Sequence, residues 1–210
     1  MARTTAKTLS NRRPRLLVIA GATGVGKSTA SIQLAAKLGI SRCLSTDAIR
    51  EIMRAADERH DHPHLHRSSF SMGESGDPLS DWNDTCTAVE PGIYATIARA
   101  RREGIDLLIE GVHIVPAQRI LSSWEESGGI ALGVLMVVHD EQQHQSMLKM
   151  RDAHSFRRAD RYLAGFARIR MIQDGLIERA KAAQWPMIDP SRVESDVDKI
   201  SDLLWDLTQS

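Results

Sequence analysis

The sequence predicts an α/β fold in which helices cover both faces of a central parallel sheet of about five strands. Short apolar segments alternate along the chain with longer segments of helical periodicity, which is the order that builds parallel sheets. Residues 130–138 form the most continuous apolar segment, which is typical of a central strand buried on both faces. The chain has 210 residues, of which 42% are hydrophobic, so it is large enough for one domain with a substantial core.

The first strand leads into a glycine-rich loop. Leu16–Ala20 is an apolar run of strand length, and Ser31–Leu38 has the periodicity of a helix that ends at Gly39. Between them, Gly21–Ser28 fits the phosphate-binding loop pattern G-x-x-x-x-G-K-S/T. In such a loop the backbone N–H groups surround phosphate oxygens, the lysine reaches the β- and γ-phosphates, and the hydroxyl binds Mg²⁺. The pattern therefore predicts a P-loop NTPase-type three-layer sandwich that binds a nucleotide phosphate with Mg²⁺, and it leaves the choice between ATP and GTP open.

The predicted contacts with the nucleotide come from this loop. The residues concerned are Gly21, Ala22, Thr23, Gly24, Val25, Gly26, Lys27, Ser28 and Thr29. Lys27 is also predicted to be catalytic, because its charge can stabilise the phosphoryl group during transfer. Ser28 is predicted to be a metal ligand.

The remaining elements continue the same alternation. Up to the central strand, the predicted elements are a short second strand over 41–45, a helix over 48–58, a helix over 82–102, a third strand over 105–110 and a short helix up to Trp124. Residues 59–80 are polar, rich in histidine and interrupted by glycine and proline, so an irregular insert over the site is expected there. After the central strand, the predicted elements are a helix capped by Asp140, an Arg-rich lid over 151–158, one amphipathic helix over 159–183, a strand over 187–188 and a helix over 196–207.

A carboxylate is expected at the end of the third strand. Asp106 and Glu110 lie four residues apart in this strand, which separates them by about 13 Å. Ligands bind beyond the carboxyl ends of parallel strands, and Glu110 is at that end. Glu110 is therefore predicted to support Mg²⁺ together with Ser28, with a satisfied buried glutamate as the alternative. Asp106 is expected to be a solvated turn residue.

A second carboxylate follows the second strand, in the pattern Asp47-x-x-Arg50. The two residues lie one helical turn apart and so face the same side. Asp47 is predicted to orient and deprotonate an acceptor hydroxyl, and Arg50 to hold an anionic acceptor. The alternative is a helix-capping aspartate beside a surface arginine.

An Arg-rich segment could close over the transferred phosphoryl group and neutralise its charge. Arg151, Arg157 and Arg158 are the predicted catalytic arginines, and Arg161 is predicted to contact the acceptor. Arg168 is expected to be an ordinary arginine on a helix surface.

Histidines are concentrated in the insert, where they occupy every second position from His60 to His66. A metal site is one interpretation, but Pro63 and the lack of cysteine ligands weaken it. His66 is predicted to line the acceptor pocket, and His113 to contact the acceptor. His139 and His144 are predicted to be structural.

Charge and cysteine content restrict the class of protein. The 27 basic and 27 acidic residues balance, and no groove of alternating aromatic and basic residues is evident, which argues against nucleic acid as a partner. No apolar segment approaches membrane-spanning length. Residues 1–14 are predicted to be a disordered basic leader, and residues 15–210 one kinase domain. Two isolated cysteines, Cys43 and Cys86, favour reduced thiols and a cytoplasmic location.

Several segments together resemble the 2-phosphoglycerate kinase family. They are Gly21–Thr29, Leu38–Ile40, Ser45–Glu51, Leu65–Phe70, Ile109–Pro116, and Arg161–Leu163 extending to Ile172–Gln173. Ser-Thr-Asp with Ile-Arg, and Glu-Gly-Val-His with Pro116, are the specific parts of this combination. The resemblance implies ATP-dependent phosphorylation of 2-phosphoglycerate to 2,3-bisphosphoglycerate. The chain is also similar, more distantly, to polynucleotide kinases and zeta-toxin-like kinases, which use an Asp-x-x-Arg after the second strand.

Other functions stay open on the sequence. A kinase of this type could act on a different hydroxylated metabolite of a biosynthetic pathway. A 5′-hydroxyl nucleic-acid kinase and a nucleotide switch without a small acceptor are the further alternatives. A switch is disfavoured because the chain has no guanine-reading Asn-Lys-x-Asp segment. The sequence also leaves open whether the protein is a monomer or a homodimer.

Overall fold

The computed structural model describes residues 12–152, 159–191 and 195–209. The strands of this part are β1 (Arg15–Gly21), β2 (Cys43–Ser45), β3 (Leu107–Gly111), β4 (Ile130–Met136) and β5 (Met187–Ile188). They pair in parallel in the order β2-β3-β1-β4-β5. Helices flank this sheet, so the predicted three-layer α/β sandwich is confirmed.

Helices connect the strands in the predicted alternation. They are α1 (Lys27–Leu38), α2 (Thr46–Ala56), α3 (Pro78–Glu103), α4 (Arg119–Glu125), α5 (Glu141–Asp152), α6 (Ala159–Ala164), α7 (Phe166–Ala182) and α8 (Asp196–Gln209), with a 3₁₀ helix at Pro63–His66. α1 packs against α8, and α3 packs against α2 and α7. Among the described helices, none combines the length and the apolar character needed to cross a membrane.

The core lies around the three central strands. β3 and β4 are buried along their whole length, and β1 is buried after its first residue. Their sequences consist mainly of Leu, Ile, Val and Ala, which is the composition expected of parallel strands covered on both faces. Two tryptophans on flanking helices, Trp82 and Trp124, are completely buried against this core.

The register of the strands aligns their carboxyl ends. Ile19 of β1 pairs with Glu110 of β3, and Ser45 at the end of β2 pairs with the same Glu110. On the other side of β1, Gly21 pairs with Met136 at the end of β4. The loops that follow β1, β2 and β3 therefore emerge at one edge of the sheet.

Two helices begin earlier than predicted because of their caps. α2 begins at Thr46, since the Ser45 hydroxyl accepts a hydrogen bond from the Ala48 backbone N–H (3.1 Å). α3 begins at Pro78, since the Asp77 carboxylate accepts one from the Ser80 backbone N–H (2.8 Å).

The prediction of a single helix over residues 159–183 is wrong. The chain turns at Gly165 and forms α6 and α7 instead. The Phe70 ring packs against this glycine so closely that a Cβ there would lie 2.8 Å from the ring. Periodicity alone did not reveal the break, because the apolar stripe continues across it.

Asp106 is buried, which contradicts its predicted role as a solvated turn residue. Its carboxylate accepts hydrogen bonds from the Arg15 backbone N–H (2.8 Å) and the Arg15 guanidinium (2.6 Å), and it also pairs with Arg12. The Pro14 carbonyl accepts hydrogen bonds from Trp124 Nε1 (3.0 Å) and the Ile130 N–H (2.9 Å). Arg12–Pro14, assigned to the leader from the sequence, are thus part of the fold, and residues 1–11 lie outside the described residues.

Asp106→Ala should lower the free energy of unfolding at pH 7 by about 2 kcal/mol, because the substitution leaves a partly buried guanidinium without its carboxylate. Urea denaturation monitored by circular dichroism measures this change. Asp198→Ala, which removes an exposed carboxylate paired with Lys37, is the matched control and should change stability little.

The contribution of Asp106 should also depend on pH in a defined direction. Burial by itself would raise the pKa of Asp106, but hydrogen bonds from Arg15 and Arg12 lower it below its ordinary value. A lowered pKa in the folded state stabilises the protein above the unfolded-state pKa, and this stabilisation is lost as the pH falls through the folded-state pKa. The stability difference between wild type and Asp106→Ala should therefore shrink below about pH 4. A difference that grew towards low pH would contradict the assignment.

Candidate active site

The carboxyl edge of the sheet opens into a cleft of about 1040 Å³. Its lining includes Thr23, Gly24, Gly26–Thr29, Ser45, Asp47, Ala48, Arg50, Glu51, Ser68–Phe70, Glu110–Val112, Met147, Met150, Arg161 and Tyr162. The cleft is at the upper end of the size range for a single small-molecule site, so it has room for two substrates side by side. We call the end formed by residues 23–29 the donor side and the end formed by Asp47, Arg50 and Ser68–Phe70 the acceptor side.

The glycine loop forms the donor side. Gly24 and Gly26 have φ values of 89° and 87°, a left-handed conformation that favours glycine. A Cβ on Gly24 would also lie 2.3 Å from the Leu148 side chain of α5. Lys27, at the first residue of α1, is 8% exposed and its ammonium donates to the Ala22 carbonyl (2.8 Å). Lys27 and residues of the glycine loop thus line the cleft, next to the start of α1.

A buried histidine braces this loop from behind. His144 of α5 lies 2.9 Å from the Thr23 carbonyl through Nε2, and its ring meets Phe166 edge to face. Burial lowers the pKa of His144, so the ring is neutral at pH 7 and Nε2–H is the donor. The His144 ring therefore connects α5 to the phosphate-binding loop, which is a structural role of the kind predicted for it.

Ser28 and Glu110 meet at the floor of the cleft. The Ser28 hydroxyl donates to Glu110 Oε1 at 2.9 Å, and Glu110 is 5% exposed. A serine hydroxyl and a carboxylate are both hard oxygen donors of the kind that Mg²⁺ prefers. The two residues therefore fit a magnesium site next to the predicted phosphate position.

Asp47 also lines the cleft, in the first turn of α2. Its side chain is 51% exposed, and its Oδ1 lies 3.7 Å from Nδ1 of His113. That nitrogen is also 3.1 Å from the hydroxyl of Thr46. Thr46 and His113 are both buried, and neither side chain lines the cleft. The prediction that His113 contacts the acceptor directly is therefore not supported by the structure.

Arg50 lines the acceptor side but is already engaged. One guanidinium nitrogen donates to the Leu65 carbonyl at 2.8 Å and to the Arg67 carbonyl at 3.4 Å. The other pairs with Glu51 at 2.7 Å. Arg50 thus holds the insert against α2, and a bidentate contact with an acceptor would require it to exchange partners.

A buried acid that the sequence did not single out organises the insert. Asp81 of α3 is 1% exposed and accepts hydrogen bonds from the N–H groups of Gly73 (2.7 Å) and Ser75 (3.2 Å) and from the Ser75 hydroxyl (2.7 Å). It also pairs with Arg168 at 2.7 Å. Burial opposes ionisation, but the hydrogen bonds from Ser75, Gly73 and Arg168 lower the pKa of Asp81 far below its ordinary value.

Arg168 is the second member of this network. It donates to the carbonyls of Phe70 (3.2 Å), Ser71 (3.2 Å) and Gly76 (3.0 Å) in addition to its pair with Asp81. The expectation that Arg168 is an ordinary surface arginine is therefore wrong. The residue connects α7 to the insert and so fixes Phe70 at the cleft.

Arg161 lines the cleft, and its contact with an acceptor stays a prediction. Its guanidinium donates to the Ser68 hydroxyl at 2.6 Å and lies 5.6 Å from the centre of the Phe70 ring. His66, by contrast, is not among the residues that line the cleft. It contacts Asp57 at 3.0 Å and stacks on His60, so its predicted place in the acceptor pocket is wrong.

The roles predicted for the lid arginines concern side chains outside the described part of the structure. Arg157 and Arg158 lie outside the described residues, as does the side chain of Arg151. Within the described part of the chain, no three His, Cys, Asp or Glu side chains are grouped so that they could hold a metal ion.

Known proteins that share one name are similar to this chain over most of its length. The chain is 37% identical over 200 residues to a protein named 2-phosphoglycerate kinase from Thermococcus kodakarensis, in a match that covers 91% of this chain and 67% of that protein. It is 32% identical over 199 residues to the protein of the same name from Methanocaldococcus jannaschii, covering 92% of this chain and 64% of that protein. The chain therefore spans less than two thirds of the length of the second relative. No family model matches the chain.

Solved kinase structures share the fold at low sequence identity. A shikimate kinase from Acinetobacter baumannii in complex with shikimate superposes with a TM-score of 0.51 at 12% identity, covering 94% of this chain and 93% of that one. A gluconokinase from Sinorhizobium meliloti superposes with a TM-score of 0.50 at 15% identity, with the same coverage of 94% and 93%. At these identities the similarity concerns the fold alone.

Asp81→Ala should loosen the insert without unfolding the domain, because the N–H groups of Gly73 and Ser75 lose their buried acceptor. Hydrogen–deuterium exchange of residues 71–77 should be faster by about tenfold or more. Asp84→Ala removes a neighbouring, half-exposed carboxylate 3.9 Å from Arg67 and is the matched control. Equal exchange rates in the two variants would show that Asp81 does not hold the insert.

Proposed function

The chain belongs to the 2-phosphoglycerate kinase family, and we propose that it transfers the γ-phosphoryl group of ATP to a hydroxyl group of a small anionic metabolite. 2-Phosphoglycerate is the first candidate for this acceptor, because the relatives carry that name. The main support for the proposal is that one cleft contains the phosphate-binding loop, the Ser28–Glu110 pair and Asp47. The phosphate-binding loop and the Ser28–Glu110 pair form one side, and the Asp47 carboxylate lies on the other.

The donor side would hold the nucleotide. Backbone N–H groups of residues 21–29 would bind the phosphates, and the dipole of α1 adds positive potential at its N-terminus. Lys27 would exchange its contact with the Ala22 carbonyl for the β- and γ-phosphates. This arrangement stabilises negative charge where it grows during transfer.

Ser28 and Glu110 would hold Mg²⁺, which neutralises charge on the β- and γ-phosphates of such nucleotides. Their hydrogen bond keeps the two oxygens adjacent, and the low exposure of Glu110 limits competition from water. The side chains of this pair therefore also position the donor side of the cleft relative to β3.

Asp47 would orient the acceptor hydroxyl and receive its proton. As the acceptor oxygen bonds to the γ-phosphorus, the bond from that phosphorus to the bridging oxygen breaks and ADP leaves. Asp47 is suited to this step because its carboxylate is partly exposed at the cleft while its backbone is fixed in a capped helix.

Cations would bind the anionic part of the acceptor. Arg161 lies at the cleft with one guanidinium hydrogen bond to Ser68, and Arg50 also lines the cleft. We also propose that Arg151, Arg157 and Arg158 neutralise the transferred phosphoryl group. Arg151 directly follows Met150, which lines the cleft, and Arg157 and Arg158 come six and seven residues later in the sequence.

A screen for acceptor-dependent ADP release tests the proposal. Phosphorylated glycerates, sugar phosphates, nucleosides, 5′-hydroxyl oligonucleotides and hydroxylated natural products should be compared. We expect release with 2-phosphoglycerate or a related anion, and we expect Lys27→Ala to reduce it by about a hundredfold or more. Phosphorylation of oligonucleotides would instead identify a nucleic-acid kinase, and hydrolysis independent of any acceptor would identify a nucleotide switch.

Asp47→Asn should lower kcat by about a hundredfold or more, since an amide cannot accept the proton. The KM for ATP should change by less than about twofold, because Asp47 is on the acceptor side. Steady-state kinetics at saturating acceptor measures both values. Glu58→Gln, which changes an exposed carboxylate just beyond the end of α2 and outside the cleft lining, is the matched control. A rate for Asp47→Asn close to that of wild type would remove Asp47 from the mechanism.

A further inference from the structure

We propose that His113 is a positioning residue: its Nδ1–H group is hydrogen-bonded to the Thr46 hydroxyl and, 3.7 Å from Oδ1, attracts the Asp47 carboxylate and so orients it in the cleft. The inference rests on the proposed role of Asp47 in phosphoryl transfer. It gives His113 a different task from direct contact with the acceptor, because its ring is buried behind the cleft wall.

The backbone around His113 is held in place by its neighbours. Gly111 lies so close to Thr46 that a Cβ on the glycine would be 1.7 Å from the threonine hydroxyl oxygen. The carbonyl of Val112 accepts a hydrogen bond from Nε1 of the buried Trp82 at 2.8 Å. The end of β3 is thereby fixed against both α2 and α3, and the His113 ring has a defined position beside the first turn of α2.

The surroundings of the ring select one tautomer. Nδ1 lies 3.1 Å from the Thr46 hydroxyl oxygen and 3.7 Å from Oδ1 of Asp47. Nε2 is buried and has no hydrogen-bond partner among the described residues. A neutral imidazole carries one N–H group, and on Nδ1 it faces two oxygens. In the other tautomer the N–H group would be on Nε2, buried without an acceptor, and the lone pair of Nδ1 would face the Asp47 carboxylate.

A neutral ring can orient the Asp47 carboxylate without neutralising its negative charge. Burial lowers the pKa of His113 to about 4; Asp47 opposes this shift, and Arg50 and Lys27 reinforce it. His113 is therefore uncharged at pH 7. An imidazolium in the same place would stabilise the carboxylate and weaken it as a base. A neutral donor leaves Asp47 able to accept a proton.

Asp47 needs such a partner because little else restrains it. Its side chain is 51% exposed, and among the described residues its carboxylate makes no hydrogen bond; the His113 Nδ1 atom at 3.7 Å is its recorded polar neighbour. A carboxylate with this freedom can rotate away from the acceptor hydroxyl. Loss of alignment of about 1 Å can reduce a rate by about a hundredfold.

Two substitutions of His113 separate the proposed role from a purely structural one. In His113→Asn the amide nitrogen replaces Nδ1, because both are bonded to Cγ. In His113→Gln the amide lies one atom further out. We expect kcat to fall by less than about threefold in His113→Asn and by about tenfold or more in His113→Gln, with KM for ATP unchanged in both.

Cys86→Ala is a control for a general loss of packing around residues 112–113. Cys86 is buried, and its Sγ lies 3.8 Å from the Val112 carbonyl. The substitution should lower thermal stability but leave kcat unchanged. Equal kcat values for the Asn and Gln variants, or a loss in Cys86→Ala as large as in His113→Gln, would overturn the proposal.

A spectroscopic measurement tests the contact independently of turnover. Nitrogen-15 NMR of histidine-labelled protein distinguishes the two tautomers, and the signal missing from His113→Asn identifies His113 among the eight histidines. We expect Nδ1–H and an unprotonated Nε2 from about pH 6 to pH 8, with the Nδ1 shift altered in Asp47→Asn. An Nε2–H tautomer would overturn the inference even in an active enzyme. Absence of acceptor-dependent turnover with the expected tautomer would refute the proposed function instead.

Discussion

The pairing of β1 with β3 is the constraint on which the rest of the site depends. Its register places Ile19 beside Glu110, so the phosphate-binding loop and the carboxylate leave the sheet at the same level. The hydrogen bond from Ser28 to Glu110 then joins the start of α1 to the end of β3 across 82 positions of sequence. A slip of one residue would turn Glu110 to the other face of the sheet, because successive side chains of a strand point to opposite faces.

The acceptor side is constructed differently from the donor side. The donor side is one continuous loop at the start of one helix, whereas the acceptor side combines α2, the insert and α6. The insert contains little regular structure of its own, so its shape depends on charged side chains of neighbouring helices. Asp81 supplies a buried acceptor to its backbone, and Arg168 binds its carbonyls. Substrate selection by this side would therefore respond to changes in α3 and α7, away from the cleft.

Segment 110–113 connects the two sides. Glu110 contacts the donor side through Ser28, and His113 contacts the first turn of α2 through Thr46 and Asp47. The backbone between them is held by Trp82. Four consecutive residues thus set the distance between the predicted metal site and the predicted base, which a phosphoryl-transfer reaction requires to be constant.

The sequence by itself determined the alternation of strands and helices, the phosphate-binding loop and the position of Glu110 at the carboxyl edge. These features follow from local patterns, since glycine spacing and apolar periodicity act within a few residues. Tertiary structure alone decided the burial and the contacts of Asp106, Arg168 and His113. Asp106 meets Arg15 across 91 positions, and Arg168 meets Asp81 across 87. Whether a charged side chain is solvated or buried in a pair depends on which distant segment packs against it, and no local pattern carries that information.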